Sequence, residues 1–196
     1  VAHAKGDFYV LMNNDIEVLQ ENWMEQMLSN CERKEVGIVG ARLYYPDNTI
    51  QHAGLVIGIG GSLRGIGANL YQGMRRERSG YLHRAAFQMN YSAVTAALMM
   101  VKKEVYEKAG GFEEELSVAF NDVDFCLRVK EMGYLIVYDP LVEAYHYESK
   151  SRGEEDSPEK VARFQSEIEF MRNRWENLLK KGDPNYNIHF SRVRAD

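Results

Sequence analysis

Two amides and a carboxylate, the tripeptide Asn13-Asn14-Asp15, follow directly after the apolar run of residues 8–12. A continuous apolar run is typical of a strand that is covered on both faces, as in a parallel sheet. In open α/β sheets, ligands bind beyond the carboxyl ends of the strands. A carboxylate with amides beside it suits a hard divalent cation that bridges to a diphosphate. The alternative is a plain turn, because Asn and Asp are common where a strand ends.

Two further carboxylates, Asp122 and Asp124, open an amphipathic segment that predicts a helix over residues 120–132. The helix dipole favours negative charge at this end, which is a structural reason for both residues. The functional alternative is a carboxylate that faces a cleft as a general base. Residues two apart on a helix point in different directions, and Asp124 stands four residues before Arg128, with which it can form an ion pair. Asp122 is therefore the better candidate for the base.

A histidine and two basic residues stand near the end of a later apolar segment. His146 follows a short predicted strand, where a neutral imidazole can bind a metal, although a lone histidine is more often a hydrogen-bonded structural residue. Lys150 and Arg152 lie in a polar stretch that we expect to be mobile. They can fold over phosphates, or they can simply belong to a solvated basic loop.

Two other short motifs carry weaker signals. Thr95 and Ala96 belong to a run of small residues that lets a ligand or a backbone come close, although such residues more often just pack tightly. Gln51 and His52 stand together in a second motif that has no clear chemistry on its own.

The segments around these motifs alternate between strand-like and helix-like patterns. The predicted strands are residues 8–12, 36–43, 50–59 (a strand or a hairpin), 91–101, 134–138 and 142–147, and the predicted helices are residues 21–34, 102–109, 120–132 and 158–181. The first strand, helix and strand predict a right-handed parallel crossover. Residues 58–84 form a glycine-rich loop that is long for a compact domain, and loops of this length are more often functional lids or binding loops. The alternation predicts an α/β protein with a mixed sheet flanked by helices and a long C-terminal helix.

Composition limits the class of protein. The 196 residues are 45% hydrophobic and 27% charged, as expected for a single globular domain. The net charge of −5 argues against a nucleic-acid partner, which needs a basic surface. The sparse cysteines, Cys31 and Cys126, indicate a reducing compartment, with both thiols packed in helices. No stretch reaches the roughly 20 apolar residues that span a bilayer, so we predict a cytoplasmic protein, with peripheral contact at the inner face of the membrane as the alternative.

The order of the motifs is more specific than any one of them. It resembles family 2 glycosyltransferases of the GT-A fold, and most of all the bacterial members that build rhamnose-containing or other surface polysaccharides. The resemblance covers nearly the whole chain. The matching motifs are Leu11-Met12-Asn13-Asn14-Asp15, Val94-Thr95-Ala96-Ala97, Gly110-Gly111-Phe112, residues 120–128, Tyr145-His146-Tyr147-Glu148-Ser149, Arg174-Trp175 and residues 183–187.

This resemblance implies a donor site for a nucleotide-diphosphate sugar. Asn13-Asn14-Asp15 takes the place of the family's Asp-x-Asp motif, with Asn at its first position. Asp15 would be the main ligand of the Mn²⁺ or Mg²⁺ that holds the donor diphosphate. His146 would contact the metal or the diphosphate, and Lys150 and Arg152 would contact the phosphates.

The resemblance also implies a reaction. Asp122 matches the aspartate of the family's Glu-Asp motif and would act as the base in a single inverting displacement. Thr95, Ala96 and Asp124 would lie at the acceptor site, which would take a hydroxyl of a glycan or of a lipid-linked sugar.

Family members begin with strand–helix–strand units that bind the nucleoside, and the residues before the metal motif do not supply these units here. We therefore expect a truncated GT-A fold that binds nucleotide sugars poorly and is inactive on its own. The absent strands predict an exposed sheet edge, which is a surface for pairing with a second copy. Two alternatives remain at this stage. One is a non-catalytic glycan- or protein-binding module on the same fold, and the other is a different metal enzyme, which would need more clustered carboxylates or histidines.

Overall fold

The computed structural model describes residues 1, 3–60, 65–147 and 157–193. The described strands are Phe8–Met12 (β1), Ile16–Val18 (β2), Val36–Tyr44 (β3), Ile50–His52 (β4), Leu55–Ile57 (β5), Gly67–Asn69 (β6), Met89–Tyr91 (β7), Leu98–Lys102 (β8) and Leu135–His146 (β9). The described helices are Trp23–Cys31 (α1), Lys103–Lys108 (α2), Asn121–Glu131 (α3), Pro158–Arg174 (α4) and Glu176–Lys181 (α5), with a short 3₁₀ turn at Tyr81–His83. Strands β1 and β3 and helices α1, α2 and α3 confirm the corresponding predictions.

A seven-stranded mixed sheet forms the centre of the molecule, in the order β1-β8-β3-β9-β2, with β4 beside β3 and β7 beside β9. Strands β3 and β9 are parallel, whereas β8 is antiparallel to both β1 and β3. Strands β1 and β3 therefore run in the same direction, as the predicted crossover requires, but β8 lies between them. The carboxyl ends of β1, β3 and β9 point to one edge of the sheet, and ligands of open α/β sheets bind at such an edge.

Helices cover both faces of this sheet, which confirms the predicted α/β class. Every residue of β3 is buried, as its continuous apolar sequence predicts. Ile38 packs in one core cluster with Phe125 of α3, and its neighbour Val39 packs in the other cluster with Met27 of α1. Successive residues of a strand point to opposite faces, so α1 and α3 lie on opposite sides of the sheet.

Both cysteines are buried within helices, as predicted. Cys31 lies in α1 and Cys126 in α3, and both thiols are free. Burial raises the pKa of the Cys31 thiol to about 12, so the reactive thiolate form is suppressed at neutral pH.

The strand predicted over residues 91–101 is wrong in one respect, because it is interrupted. Strand β7 ends at Tyr91 and β8 begins at Leu98, and the segment 92–97 between them is irregular. The backbone N–H groups of Thr95 and Ala96 donate to distant side chains instead of to a neighbouring strand. This interruption turns two backbone amides towards those side chains.

The predicted break near residue 139 is also wrong, because β9 continues through it. The pairing of β9 with β3 skips residues 140–142, which form a bulge. The buried carboxylate of Asp139 holds the bulge by accepting hydrogen bonds from the Leu141 N–H at 3.0 Å and from Asn30 Nδ2 at 2.7 Å. One long strand therefore reaches His146 at the edge of the sheet where the carboxyl ends of β1 and β3 also lie.

The long C-terminal helix is present but divided. Ser157 caps its start, where Oγ accepts a hydrogen bond from the Lys160 N–H at 3.3 Å, and Pro158 occupies the first turn. The helix breaks at Trp175, which has φ −109° and ψ 21°. Among the described helices, none is long and apolar enough to cross a membrane.

Candidate active site

A cavity of about 790 Å³ lies beside the carboxyl end of β1. Its walls are the end of β1, the interrupted segment 95–97, the segment 117–123 and the N-terminal half of α4. Five residues that the sequence singled out line it: Asn13, Thr95, Ala96, Asp122 and His146. Phe112 of the Gly110-Gly111-Phe112 motif also lines it, as do Asn69, Lys160, Arg163 and Phe164, which the sequence did not single out.

Asn13, Asp15 and His146 meet although 133 positions separate the first from the last. Strand β2 pairs with the end of β9 so that Ile16 stands opposite His146. Asn13 Nδ2 then donates a hydrogen bond to His146 Nε2 at 3.1 Å, and Asp15 Oδ1 lies 3.2 Å from the same nitrogen. The other ring nitrogen, Nδ1, lies 2.7 Å from Gln51 Oε1, to which it donates.

This cluster fits a divalent cation. Oδ1 of Asp15 is buried, yet it accepts no hydrogen bond from the described residues. In the tautomer that donates from Nδ1 to Gln51, Nε2 carries the lone pair that accepts from Asn13, and it cannot donate to Asp15. Two electron-rich atoms 3.2 Å apart repel each other, and a cation that contacts both would relieve this repulsion. A carboxylate, an imidazole and the oxygens of a diphosphate form a ligand set that suits Mn²⁺ or Mg²⁺.

The remaining ligands would have to come from elsewhere. Within the ranges that the structure describes, no three His, Cys, Asp or Glu side chains come together in a way that could hold a metal ion. A site with few protein ligands is typical of Mg²⁺, which is bound by one or two carboxylates together with substrate phosphates. Asn14 is exposed beside this cluster. Lys150 and Arg152, which the sequence assigned to the phosphates, lie outside the described residues.

Asp122 stands in the first turn of α3 and faces the cavity. Its Oδ2 accepts a hydrogen bond from the Ala96 N–H at 3.1 Å, and its Oδ1 accepts one from the Val123 N–H at 2.8 Å. The residue before the helix, Phe120, adopts the left-handed conformation with φ 64°, which is strained for a bulky side chain. Such strain is concentrated at functional sites, where the surrounding structure maintains it.

The structure does not bring Asp124 to the cavity, and we therefore remove it from the acceptor residues. Its side chain is fully buried and does not line the cavity. The predicted ion pair is confirmed, because Arg128 Nε lies 2.7 Å from Asp124 Oδ2. Oδ1 accepts a hydrogen bond from Trp175 Nε1 at 2.9 Å and lies 3.3 Å from Arg174 Nε. With both oxygens engaged, Asp124 joins α3 to the C-terminal helices.

Thr95 and Ala96 lie at the cavity wall, where a buried histidine holds the first of them. His52 Nε2 accepts a hydrogen bond from the Thr95 N–H at 3.3 Å, and Nδ1 lies 2.6 Å from Asn69 Oδ1. Burial lowers the pKa of His52 to about 4, so the ring is neutral at pH 7. A neutral ring with its proton on Nδ1 can make both hydrogen bonds at once.

Sequence reasoning missed a buried carboxylate on α4. Glu167 Oε1 accepts a hydrogen bond from the Val118 N–H at 3.0 Å, and Oε2 accepts one from the Ala119 N–H at 3.1 Å. These amides belong to the segment that lines the cavity and leads into α3. Glu167 falls within a helical run of ordinary charged residues, so its local sequence holds no signal of this role.

The fold is that of the GT-A glycosyltransferases. Two solved structures resemble the chain closely enough to show it. One is GalNAc-T7 with UDP, GalNAc and Mn²⁺, with a TM-score of 0.61 and 10% identity over 89% of this chain and 33% of that one. The other is the mannosyltransferase PcManGT from Pyrobaculum calidifontis in complex with GDP-Man and Mn²⁺, with a TM-score of 0.54 and 15% identity over 91% of this chain and 45% of that one.

Curated relatives are similar to the chain over part of their own length. The y4gI protein of Sinorhizobium fredii is 47% identical over 197 residues, which are 100% of this chain and 21% of the relative. The O-antigen biosynthesis protein RfbC of Myxococcus xanthus is 34% identical over 193 residues, which are 98% of this chain and 14% of the relative. The N-acetylglucosaminyl-diphospho-decaprenol L-rhamnosyltransferase of Mycobacterium tuberculosis is 27% identical over 81 residues, which are 41% of this chain and 26% of the relative.

No protein-family model matches the chain. The predicted resemblance to GT-A glycosyltransferases of the rhamnosyltransferase and surface-polysaccharide kind is confirmed by the named relatives and the two structures. Nearly all of this chain matches the y4gI protein and RfbC, but it spans only 21% and 14% of their respective lengths.

Proposed function

We propose that this chain carries the metal-binding and acceptor-binding part of a glycosyltransferase. The enzyme would move a sugar, with inversion, from a nucleotide-diphosphate donor to a hydroxyl of a glycan or of a lipid-linked acceptor. The observation that supports this most strongly is the shared cavity, because Asp122 and His146 both line it and Asp15 lies 3.2 Å from His146. A base and a diphosphate site must adjoin each other for a sugar to pass between them.

Asp122 is the proposed base. A carboxylate has about four lone-pair sites, and the Ala96 and Val123 N–H groups occupy two of them. The other two remain for a hydroxyl of the acceptor. In the proposed step, Asp122 takes the proton of that hydroxyl while the oxygen attacks the anomeric carbon and the bond to the diphosphate breaks. A positioned base typically contributes a factor on the order of 10²–10⁴ to the rate.

Asp15 and His146 would hold Mn²⁺ or Mg²⁺, with Asn13 beside them at the donor site, and the cation would stabilise the negative charge on the departing diphosphate. Thr95 and Ala96 would lie beneath the acceptor, where their small side chains leave the cavity open. The aromatic rings of Phe120 and Phe164 are stacked with 5.6 Å between their centroids and line the same cavity. They offer the acceptor an apolar wall.

A cytoplasmic location, with contact at the inner face of the membrane, belongs to the same proposal. Its support is the state of the two cysteines, which are buried and free, as is usual in a reducing compartment.

The test is a transfer assay on the complete gene product that contains this chain. It uses a panel of labelled nucleotide-diphosphate sugars with Mn²⁺ or Mg²⁺, and NMR gives the anomeric configuration of the product. We expect one donor to yield an inverted glycoside, and Asp122→Asn to lower the turnover about 10²- to 10⁴-fold. The matched control is Asp7→Asn, because Asp7 is exposed and away from the cavity. Near wild-type turnover of Asp122→Asn would refute the assignment of the base, and a protein that binds glycans but never transfers a sugar would favour a non-catalytic module.

A further inference from the structure

Strand β4 contains a bulge at Gln51. In its pairing with β3, His52 stands opposite Leu43 and Ile50 stands opposite Tyr44, so Gln51 is the extra residue. Neighbouring residues of a regular strand point to opposite faces, whereas a bulge re-aims a side chain. Both Gln51 and His52 are buried, and both make hydrogen bonds to residues that line the cavity.

The first of these hydrogen bonds orients the imidazole of the metal cluster. Gln51 Oε1 lies 2.7 Å from Nδ1 of His146, in a buried position. An acceptor at Nδ1 keeps the ring proton there and leaves the lone pair on Nε2, the nitrogen that faces Asp15. Histidines that bind metals almost always donate their other ring N–H to such a partner.

The hydrogen bonds of His52 act on the proposed base through the backbone. His52 Nε2 accepts the hydrogen bond from the Thr95 N–H at 3.3 Å. The next N–H along the chain, that of Ala96, donates to Asp122 at 3.1 Å. His52 therefore anchors the short segment from which the proposed base takes one of its two backbone hydrogen bonds.

We propose that Gln51 and His52 are a pair of positioning residues, in which Gln51 fixes the tautomer and the orientation of His146 and His52 fixes the backbone that holds Asp122. The proposal rests on the proposed function, since it assigns roles around that metal cluster and that base. Because of the bulge, two consecutive residues can contact both His146 of the metal cluster and the backbone segment that holds Asp122.

The tautomer of His146 tests the proposed role of Gln51 without any metal or substrate. We expect ¹⁵N NMR of the metal-free chain to show that Nδ1 of His146 is protonated and Nε2 is not. Gln51→Leu removes the acceptor and should shift the ring towards the Nε2-protonated form, whereas Gln51→Glu keeps an acceptor and should retain the wild-type pattern. The control is Gln88→Leu, because Gln88 is exposed. A proton on Nε2 in the wild-type chain, or an unchanged protonation pattern of the His146 ring in Gln51→Leu, would overturn the role of Gln51.

Binding of Mn²⁺ to the complete gene product in the presence of a nucleoside diphosphate, measured by calorimetry, gives a second readout. Loss of a partner of this kind typically weakens metal binding about 10- to 100-fold, so we expect that loss for Gln51→Leu and much less for Gln51→Glu. If Gln51→Leu binds Mn²⁺ as tightly as the wild type, the positioning role is refuted. If the wild type binds no Mn²⁺ at all, the proposed metal site fails instead, and the two failures are thus distinguishable.

Amide hydrogen exchange tests the proposed role of His52. In His52→Leu, the amides of Thr95 and Ala96 should exchange faster than in the wild type, whereas the amides of α1 should keep their protection. His52→Gln retains a side-chain acceptor, and we expect it to restore part of the protection. Unchanged exchange at residues 95 and 96 in His52→Leu would show that His52 holds nothing there.

Discussion

The backbone N–H of Ala96 donates a hydrogen bond to Oδ2 of Asp122 at 3.1 Å, which ties the first turn of α3 to the interrupted segment before β8. The carboxylate of Asp122 thus accepts hydrogen bonds from the backbone N–H groups of Ala96 and Val123 rather than from a charged side chain. Backbone amides do not titrate and are fixed by the fold, so the carboxylate keeps its position while its other lone pairs remain for a substrate.

Asp15 should matter for metal binding far more than for folding. Asp15→Asn removes the negative charge but keeps the size of the side chain, and calcium- and magnesium-type sites depend on the number of charged ligands. We expect Mn²⁺ affinity, measured by calorimetry, to fall on the order of tenfold or more, with little change in the midpoint of urea unfolding. The control is again Asp7→Asn. Equal Mn²⁺ affinity in Asp15→Asn and the wild type would remove Asp15 from the ligand set.

Glu167 on α4 should affect both stability and turnover. It accepts hydrogen bonds from the Val118 and Ala119 N–H groups, and Gln in its place would turn an N–H₂ group towards one of these donors. We expect Glu167→Gln to lower the free energy of unfolding by about 1–3 kcal/mol. Because the segment 117–119 leads into the helix of Asp122, the turnover per folded molecule should fall as well.

The exposed Glu169 on the same helix provides the matched control for Glu167. Glu169→Gln should leave both the unfolding free energy and the turnover close to those of the wild type. If Glu167→Gln lowers stability but the folded fraction turns over at the wild-type rate, then Glu167 supports the fold and does not position the site.

The elements that the sequence predicted are those whose signals are local. Strand β3 is buried along its entire length, so its sequence is apolar at almost every position. Helix α3 was predicted from its amphipathic sequence, and the spacing of Asp124 and Arg128 alone predicted their ion pair. The candidate residues Asn13, Asp122 and His146 meet because each stands at an end of such an element.

The features that were missed depend on partners far along the chain. Residues 92–97 look like a strand, but the N–H groups of Thr95 and Ala96 donate to the distant side chains of His52 and Asp122 instead of to a neighbouring strand. The bulge at Gln51 is equally invisible, since it appears only when β4 pairs with β3. Nothing in a local pattern records which distant side chain will satisfy a backbone amide.

His52 should make the stability of the chain depend on pH. Burial lowers its pKa from 6.5 in the unfolded chain to about 4 in the folded one. The unfolded state therefore binds the proton more tightly, so the stability is complete above about pH 6.5 and declines as the pH falls towards 4. A difference of this size corresponds to about 3 kcal/mol. Urea unfolding across this range should show the decline.

Substitution separates His52 from the other titrating groups. His52→Gln cannot be protonated, so its stability should fall less steeply than that of the wild type between pH 6.5 and 4. The exposed His189 serves as the control, and His189→Gln should keep the wild-type slope. Identical slopes in all three proteins would mean that His52 is not buried in its neutral form.

Asp122 and Asp124 should give opposite results in the same pair of measurements. Asp124 is fully buried and is paired with Arg128 at 2.7 Å and with Trp175 at 2.9 Å. Removal of one charge from a buried pair typically costs about 3–5 kcal/mol, so Asp124→Asn should unfold at much lower urea concentration. Asp122→Asn keeps an oxygen for the Ala96 N–H but turns an N–H₂ group towards the Val123 N–H, so it should lose about 1–3 kcal/mol and unfold at a higher urea concentration than Asp124→Asn.

Sugar transfer per folded molecule should show the reverse order. Asp122→Asn loses the base and should lose most of its turnover, whereas Asp124→Asn keeps the base and should retain turnover in the fraction that is folded. Because the two residues are two positions apart in one helix, a general disturbance of α3 would affect both variants alike. A stable, inactive Asp124→Asn protein would show that Asp124 has a part in the reaction that its burial conceals.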